Sequence, residues 1–350
     1  MEDIQKLKRD YPWIKTPLII GAPMRLIALA DLAVEITKAG GIGFIGSGTD
    51  TRDLSTHLAT AHDLLQHSSS STLPIGVGFI NWGASLPTAL AALQKHPPAA
   101  VWFFAPSSLI SLEEWTQGVR QASPATKIWV QIGSVKEAVD VVRVARPDVL
   151  VVQGTDAGGH GLAQGAGLVS LFPEVADAVE RLGEEEGMER PVLVAAGGIV
   201  EARGAAAAFA LGASGVVMGT RFLASKEAVL PKGYQDEVLR AGDGGQTTVR
   251  TKVYDHCRGT TGWAETHNAR GVVNKTYVDS LAGLSHEENK KLYEEEMKKG
   301  DAGWGVEGRM TTYVGSAVGL VREVKGAREI VEEVREGAKG VLERLSSAAM

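Results

Sequence analysis

Short apolar runs alternate with amphipathic segments along most of the chain. The apolar runs cover residues 17–23, 41–47, 74–80, 100–105, 127–133, 149–153, 192–196 and 215–219. Most of them are almost continuously apolar, which is typical of strands that are covered on both faces. The segments between them follow the helical period instead, for example at 29–39, 54–66, 85–95, 109–122, 135–145 and 202–211. The pattern predicts strands and helices in strict alternation.

Eight strand-then-helix units in series predict a (β/α)8 TIM barrel, an α/β fold. Such a barrel needs about 250 residues, so part of this 350-residue chain must lie outside it. The alternation ends near residue 222, and residues 232–308 have a different composition, with a highly charged helix near 285–299. We therefore expect an inserted lid domain at 232–308, α/β or mainly α. Residues 1–231 and 309–350 would form the barrel, which an amphipathic helix at 327–345 completes.

The charge balance gives no reason to expect nucleic acid or an anionic membrane as a partner. There are 36 Lys and Arg against 42 Asp and Glu, a net charge of −6. Cys257 is the single cysteine, which excludes an intrachain disulfide and a metal site built from cysteines. No secretory signal and no apolar run of membrane length are apparent. A cytoplasmic location is predicted, and the sequence leaves a homo-oligomer open.

The segment Thr155-Asp156-Ala157-Gly158-Gly159-His160-Gly161-Leu162 directly follows the sixth predicted strand. Barrel enzymes place their chemistry at the carboxyl ends of the strands. Glycines leave the backbone unshielded, and an imidazole exchanges protons near neutral pH. The segment thus predicts a glycine loop that presents His160 as a base to a flat ligand. A lone loop histidine can also serve only to form hydrogen bonds.

Two further glycine segments follow the seventh and eighth predicted strands, Gly197-Gly198 and Gly219-Thr220. Barrels often bind phosphate with the loops at these two places, assisted by a nearby helix N-terminus. We expect a phosphate site here, although such glycines can also mark simple tight turns. The sequence between Gly41 and Gly46 spells the dinucleotide-binding fingerprint, but it forms the second predicted strand itself. Close strand packing explains those glycines better.

The remaining candidate groups give weaker signals. None of the 8 histidines has metal-ligand spacing, so we expect no metal site. His256 and His267 are interpreted as surface residues, and Cys257 as a packed thiol. Trp82, Tyr254 and Tyr313 are candidates for the lining of a substrate pocket.

Several motifs together resemble the nitronate monooxygenases, formerly called 2-nitropropane dioxygenases. They are Gly21-Ala22-Pro23-Met24, the stretch from Gln153 to Gly161, Ala196-Gly197-Gly198-Ile199, Met218-Gly219-Thr220-Arg221-Phe222 and Gly315-Ser316-Ala317-Val318-Gly319-Leu320. They occur in the order of the family, from the first strand to the return from the insertion. Asp156 stands where many relatives carry Glu, and the insertion matches only weakly.

The resemblance implies an FMN-dependent barrel that oxidises alkyl nitronates, and in some members neutral nitroalkanes. The products with O2 would be a carbonyl compound and nitrite, formed through a flavin semiquinone. His160 would take the proton beside the nitro group. The cofactor-binding residues implied are Gly197, Gly198, Gly219 and Thr220 at the phosphate, and Met24, Asn81, Gln131, Gly158 and Gly159 at the ring, with Ala22, Pro23 and Gln153 beside them.

Two other functions fit the same motifs. An FMN-dependent enoyl-acyl-carrier reductase or quinone reductase would share the glycine segments and the histidine, but would use NAD(P)H. A non-catalytic barrel that binds flavin or phosphate would share the glycine segments alone.

Overall fold

A computed structural model describes residues 2–66 and 72–348, and it contains a closed barrel of eight parallel strands. The predicted barrel is thereby confirmed. The strands are β1 (Ile19–Gly21), β2 (Ile42–Gly48), β3 (Leu73–Ile80), β4 (Pro98–Phe104), β5 (Lys127–Ile132), β6 (Val149–Gln153), β7 (Gly159–Leu162), β8 (Val192–Ala196), β9 (Val216–Met218), β10 (Thr248–Thr251) and β11 (His267–Val272). The barrel order is β1-β2-β3-β4-β5-β6-β8-β9, so β7 lies outside it.

Helices cover the barrel and build most of residues 232–308, the segment that we call the insertion. They are α1 (Glu2–Asp10), α2 (Ala30–Lys38), α3 (Leu54–Leu65), α4 (Leu86–Lys95), α5 (Leu109–Ala122), α6 (Val135–Ala145), α7 (Leu168–Glu186), α8 (Ala202–Ala210), α9 (Thr220–Leu223), α10 (Lys232–Arg240), α11 (Gly244–Thr247), α12 (Val253–Arg258), α13 (Lys275–Leu281), α14 (His286–Met297) and α15 (Ala327–Ala348), with 3-10 helices at Gly300–Gly303 and Ser316–Leu320. None of the helices in the described ranges combines the length and apolar character of a membrane span.

Apolar side chains on both faces of the strands explain why the barrel closes. One set packs between the strands and the surrounding helices. The other fills the interior, where Phe44, Trp102 and Trp129 have ring centroids 5.1 to 6.1 Å apart. Tyr11, directly after α1, adds another ring, and its hydroxyl accepts a hydrogen bond of 2.7 Å from Trp129 Nε1. The barrel is therefore a packed core with a floor of aromatic rings.

The glycines of the apparent dinucleotide fingerprint are required by close packing. Gly43 and Gly46 lie on β2, and Gly41 directly precedes it; a Cβ at Gly43 would come within 2.0 Å of the Ala33 carbonyl oxygen on α2. Glycine lets helix α2 approach the strand closely. The structural interpretation of this motif is thereby confirmed.

Strand β7 is the main departure from the predicted order. The segment interpreted as a glycine loop forms this strand, which pairs antiparallel with β11 of the insertion in the sheet β10-β11-β7. His160 lies opposite Ala269 in the register. The insertion thus fixes the backbone that carries His160.

Candidate active site

A large cavity of about 1040 Å³ opens at the carboxyl ends of the barrel strands and continues beneath the insertion. Nearly all of the site residues chosen from the sequence lie on its wall: Ala22, Pro23, Met24, Gln131, Gln153, Gly158, Gly159, His160, Gly197, Gly198, Gly219 and Thr220. A pocket for one small ligand measures about 300–1,000 Å³. The cavity is therefore large enough for a cofactor and a small substrate together.

Three side chains lie elsewhere than the sequence suggested. Asn81 is 4% exposed and is absent from the cavity wall; its Oδ1 accepts a hydrogen bond of 2.9 Å from the Phe104 amide. It therefore ties β3 to β4. Tyr254 is fully buried rather than on the cavity wall. The expectation of a surface position for His267 is wrong, since this residue is 9% exposed. Of the pocket-lining candidates, Trp82 and Tyr313 do line the cavity.

Gly197, Gly198, Gly219 and Thr220 form one end of the cavity, which we call the glycine cradle. Gly197 and Gly198 have φ values of +104° and +73°, in the left-handed region that favours glycine. Within the described ranges, the amides of Gly198, Gly219 and Thr220 donate no hydrogen bond. Unpaired amides at a cavity wall are suited to bind the oxygens of an anion.

The two helices beside the glycine cradle do not assist anion binding in the way that the sequence suggested. At the N-terminus of α8 the Glu201 carboxylate accepts a hydrogen bond of 3.0 Å from the Gly204 amide. A carboxylate already occupies that helix end. Helix α9 begins at Thr220 without a side-chain cap. The guanidinium of Arg221 points away from the cradle and donates to the carbonyl oxygens of Ala224 and Glu323. The cradle therefore offers backbone donors rather than a cation.

Gln131 connects the aromatic floor of the barrel to the cavity. Its Oε1 accepts a hydrogen bond of 3.1 Å from Trp102 Nε1, so the side-chain amide has a fixed orientation. The Nε2 group donates to no described residue and remains available to a ligand. Gln153, on the adjacent strand β6, donates from Nε2 to the His160 carbonyl oxygen at 3.4 Å.

At the other end of the cavity, His160 is held by three side chains of the second half of the chain. Its Nε2 lies 2.9 Å from Oδ1 of Asp255 on α12. Its ring stacks on Trp263 with centroids 3.8 Å apart and planes 9° apart. Tyr313 approaches edge-on at 5.5 Å. The imidazole is therefore fixed in orientation as well as in position.

Two ionisable side chains near His160, those of His267 and Tyr313, are held in their neutral forms. Burial, followed by the proximity of His160, lowers the pKa of His267 to about 4, so His267 is neutral near pH 7. Burial also raises the pKa of the Tyr313 phenol well above its usual value. Tyr313 thus remains a neutral hydroxyl that can donate a hydrogen bond.

Arg258 supplies a positive charge to this end of the cavity. Its guanidinium lies 5.3 Å from the centre of the Tyr313 ring and forms no ion pair with any described residue. Lys290 and Glu294 on the same wall neutralise each other at 3.9 Å. Arg258 therefore offers this part of the cavity wall a cation that no carboxylate of the described residues pairs with.

Two arginines of the insertion hold the chain between β6 and β7. Arg250 donates to the Ala157 carbonyl oxygen at 3.3 Å, and Arg270 donates to that of Thr155 at 2.9 Å. Asp156 accepts a hydrogen bond of 2.8 Å from the Ser316 hydroxyl. Asp156 thus connects this segment to the part of the chain that follows the insertion.

Sequence comparison identifies related proteins. The family model for nitronate monooxygenase matches residues 117–337. The nitronate monooxygenase npaC of Metarhizium robertsii is 50% identical over 347 residues, covering 97% of this chain and 95% of the relative. A nitronate monooxygenase of Neurospora crassa is 39% identical over 369 residues, covering 99% and 95%.

Solved structures show the same fold. FabK from Thermotoga maritima matches with a TM-score of 0.75 at 23% identity, covering 98% of both chains. A nitroalkane oxidase from Streptomyces ansochromogenes matches with a TM-score of 0.72 at 22% identity, covering 95% of this chain and 98% of the other. At this level of identity the structural matches support the fold alone, whereas the sequence matches identify the family. The chain belongs to the nitronate monooxygenase family of flavin-dependent oxidoreductases.

Proposed function

We propose that this protein uses FMN to oxidise alkyl nitronates with O2 to a carbonyl compound and nitrite. The observation that carries the proposal is one cavity whose wall includes both the glycine cradle and His160, with Asp255 hydrogen-bonded to His160 from outside that wall. The names of the two sequence relatives support the same reaction.

The residues present fit a flavin mononucleotide. The unpaired amides of Gly198, Gly219 and Thr220 would hold the phosphate. Gln131 Nε2, the Met24 side chain and the backbone at Gly158 and Gly159 would accommodate the ring. FMN, when bound, supplies the electron transfer between the nitronate and O2.

The substrate end fits an anion. A nitronate carries a negative charge, and Arg258 is a cation without an acidic partner in the described ranges. Trp82 and Trp263 meet edge to face at 5.6 Å and form an apolar wall. Exclusion of water by this wall strengthens the attraction between Arg258 and the anion.

His160 gives the protein a base for neutral nitroalkanes. Such a substrate must lose the proton on the carbon beside the nitro group before it becomes a nitronate. His160 lies on the cavity wall with its ring oriented by Asp255 and Trp263. A preformed nitronate has already lost this proton and does not require the base.

The test measures oxygen uptake and nitrite release with ethylnitronate and with propionate-3-nitronate, using protein that has been saturated with FMN. We expect both signals from at least one of these nitronates. No nitrite from either under air would contradict the proposal. Rapid anaerobic bleaching of the flavin by NADPH would favour the reductase alternative instead. Failure to take up FMN would contradict its role as the cofactor.

The His160→Asn variant tests the role of the base. We expect it to retain FMN, to lose at least about 100-fold in kcat/KM for nitroethane, and to lose much less for ethylnitronate. Steady-state kinetics with both substrates provide the comparison. An equal loss on the two substrates would show that His160 does not act mainly as a proton acceptor.

A cytoplasmic location stays a prediction from the sequence. A small-molecule substrate is consistent with the cavity, since its substrate end is enclosed by side chains from both the barrel and the insertion.

A further inference from the structure

Asp255 is a buried carboxylate that its sequence context does not single out. It is 4% exposed and lies in the first turn of α12. Its Oδ1 is 2.9 Å from His160 Nε2, 2.8 Å from the Thr260 hydroxyl and 3.4 Å from the Tyr313 hydroxyl. Among the described residues nothing donates to Oδ2, which is also buried. Such a desolvated carboxylate with an unpaired oxygen is destabilising unless a positive charge compensates it.

The identity of the neighbours determines the direction of each hydrogen bond. An ionised carboxylate can only accept, so His160 Nε2 must carry a proton and donate it to Asp255. In the neutral imidazole the other nitrogen, Nδ1, is then the acceptor. Nδ1 makes no hydrogen bond within residues 2–66 and 72–348 and is not among their buried unpartnered atoms. It therefore keeps some exposure, and His160 lies on the cavity wall.

We propose that Asp255 is the positioning residue of His160: it holds Nε2–H so that Nδ1 receives the substrate proton. This inference rests on the proposed function. The C–H bond beside the nitro group breaks, its proton moves to Nδ1, and its electron pair remains on the substrate as the nitronate. The imidazolium that forms is stabilised by the Asp255 carboxylate at 2.9 Å. Stacking on Trp263 prevents the ring from turning away.

The surrounding structure is consistent with this role. Thr260 belongs to the loop after α12; its hydroxyl donates to Asp255 Oδ1, and its amide donates to the Asp255 backbone carbonyl oxygen. The hydroxyl bond orients the carboxylate independently of His160. Because His160 is on β7 and Asp255 is on α12, the pair forms only when the insertion is folded against β7.

The kinetic test compares Asp255→Asn with Asp279→Asn in the FMN-loaded protein. Asp279 is also a carboxylate of the insertion, and it pairs with Arg309 away from the cavity wall. We expect Asp255→Asn to lower kcat/KM for nitroethane at least about tenfold. Activity on ethylnitronate should change little, and the primary isotope effect with α-deuterated nitroethane should increase. Asp279→Asn should behave as wild type.

Equal losses on nitroethane and ethylnitronate, or no loss on nitroethane, would overturn the assignment. A purely structural role for Asp255 would lower both activities and leave the isotope effect unchanged. A wild-type protein that releases no nitrite from any nitronate would contradict the proposed function instead.

A second measurement does not require turnover. In protein labelled with [15N]histidine, the ring nitrogens of His160 are identified by the signals that disappear in His160→Asn. We expect His160 of the wild type to be the Nε2–H tautomer in mildly alkaline buffer, and Asp255→Asn to show a mixture of both tautomers. An Nδ1–H tautomer in the wild type would overturn the assignment, even if neutral nitroalkanes prove not to be substrates.

Discussion

The backbone conformation of Gly198 and one neighbouring side chain restrict what can replace it. Its φ of +73° lies in the left-handed region, and a Cβ there would meet that of Asp156 at 3.0 Å. Asp156 in turn holds the returning chain through Ser316. A side chain at Gly198 would therefore disturb both the glycine cradle and the segment that leads to His160.

For Gly198→Asp we predict loss of FMN. A carboxylate would repel the phosphate, and two unit charges 4 Å apart interact by about 4 kcal/mol at an effective dielectric constant of 20. That energy corresponds to weaker binding by about three orders of magnitude. Flavin absorbance of the purified protein, relative to its 280 nm band, measures the occupancy.

Gly212→Asp is the matched control for this change. Gly212 also has a left-handed φ, +101°, but a Cβ there would meet nothing within 4 Å. The control has the same type of backbone strain without the charge at the cradle. Normal FMN occupancy in Gly198→Asp would exclude the phosphate from this end of the cavity.

The individual site residues differ in how well the sequence could predict them. His160 and the cradle glycines follow directly after apolar runs, and strand ends in a barrel share one face. Asp255 and Trp263 have no such position. Asp255 is one of 42 acidic residues, and it comes within 2.9 Å of His160 only through the folding of the insertion. Asn81 follows a strand as well, but its side chain bonds to the neighbouring backbone.

Strand β11 joins two parts of the substrate end. It pairs with β7, which carries His160, and its residue Gly271 forms an antiparallel bridge with Tyr313. It also lies between β10 and β7, so its amides and carbonyls are used on both sides. A break in β11 should therefore displace both His160 and Tyr313.

For Ala269→Pro, on β11, we predict an increase in KM for ethylnitronate of at least about tenfold, equal to 1.4 kcal/mol. Proline removes an amide from a central strand and disrupts its ladder. FMN should be retained, because the glycine cradle follows β8 and β9 of the barrel. Steady-state kinetics and flavin absorbance measure the two effects.

Glu287→Pro is the control for the substitution at Ala269. Glu287 lies in the first turn of α14, where proline is tolerated. This variant should keep the wild-type KM. If Ala269→Pro also keeps it, the sheet does not shape the substrate end.

The elements were predictable where local pattern determines them. Val149–Val152 is apolar throughout and forms the buried part of β6. Gly159–Leu162 becomes β7 although its sequence, GHGL, has low strand propensity and no alternation. Its pairing depends on β11, whose residues are more than 100 positions away in the chain. No local signal could have predicted that strand.

At the scale of the whole molecule, His267 couples stability to pH. Its pKa is lowered to about 4 in the folded protein, whereas an unfolded histidine titrates near 6.5. Above pH 6.5 the His267 imidazole is mainly neutral in both the folded and the unfolded protein. As the pH falls from 6.5 towards 4, the unfolded state takes up a proton that the folded state does not. The free energy of unfolding therefore decreases as the pH falls through this range.

We predict that this loss amounts to about 2 kcal/mol in the free energy of unfolding between about pH 7.5 and pH 5. Urea denaturation of the wild type and of His267→Phe and His267→Gln measures it. Both variants lack the titrating group, so each should show a smaller decrease with acidification, whatever its absolute stability. Equal pH dependence in all three proteins would exclude His267 as the source.

The position of β7 limits how the two parts of this protein can be exchanged. It leaves the barrel between β6 and α7, and among the described strands it pairs only with β11 of the insertion. A chimaera that received the residues 232–308 of a relative alone would keep its own β7 opposite a foreign β11. The segments that should be exchanged together are therefore residues 155–162 and the insertion, which are separate in the sequence. Recombination between relatives should therefore succeed more often when it respects both segments.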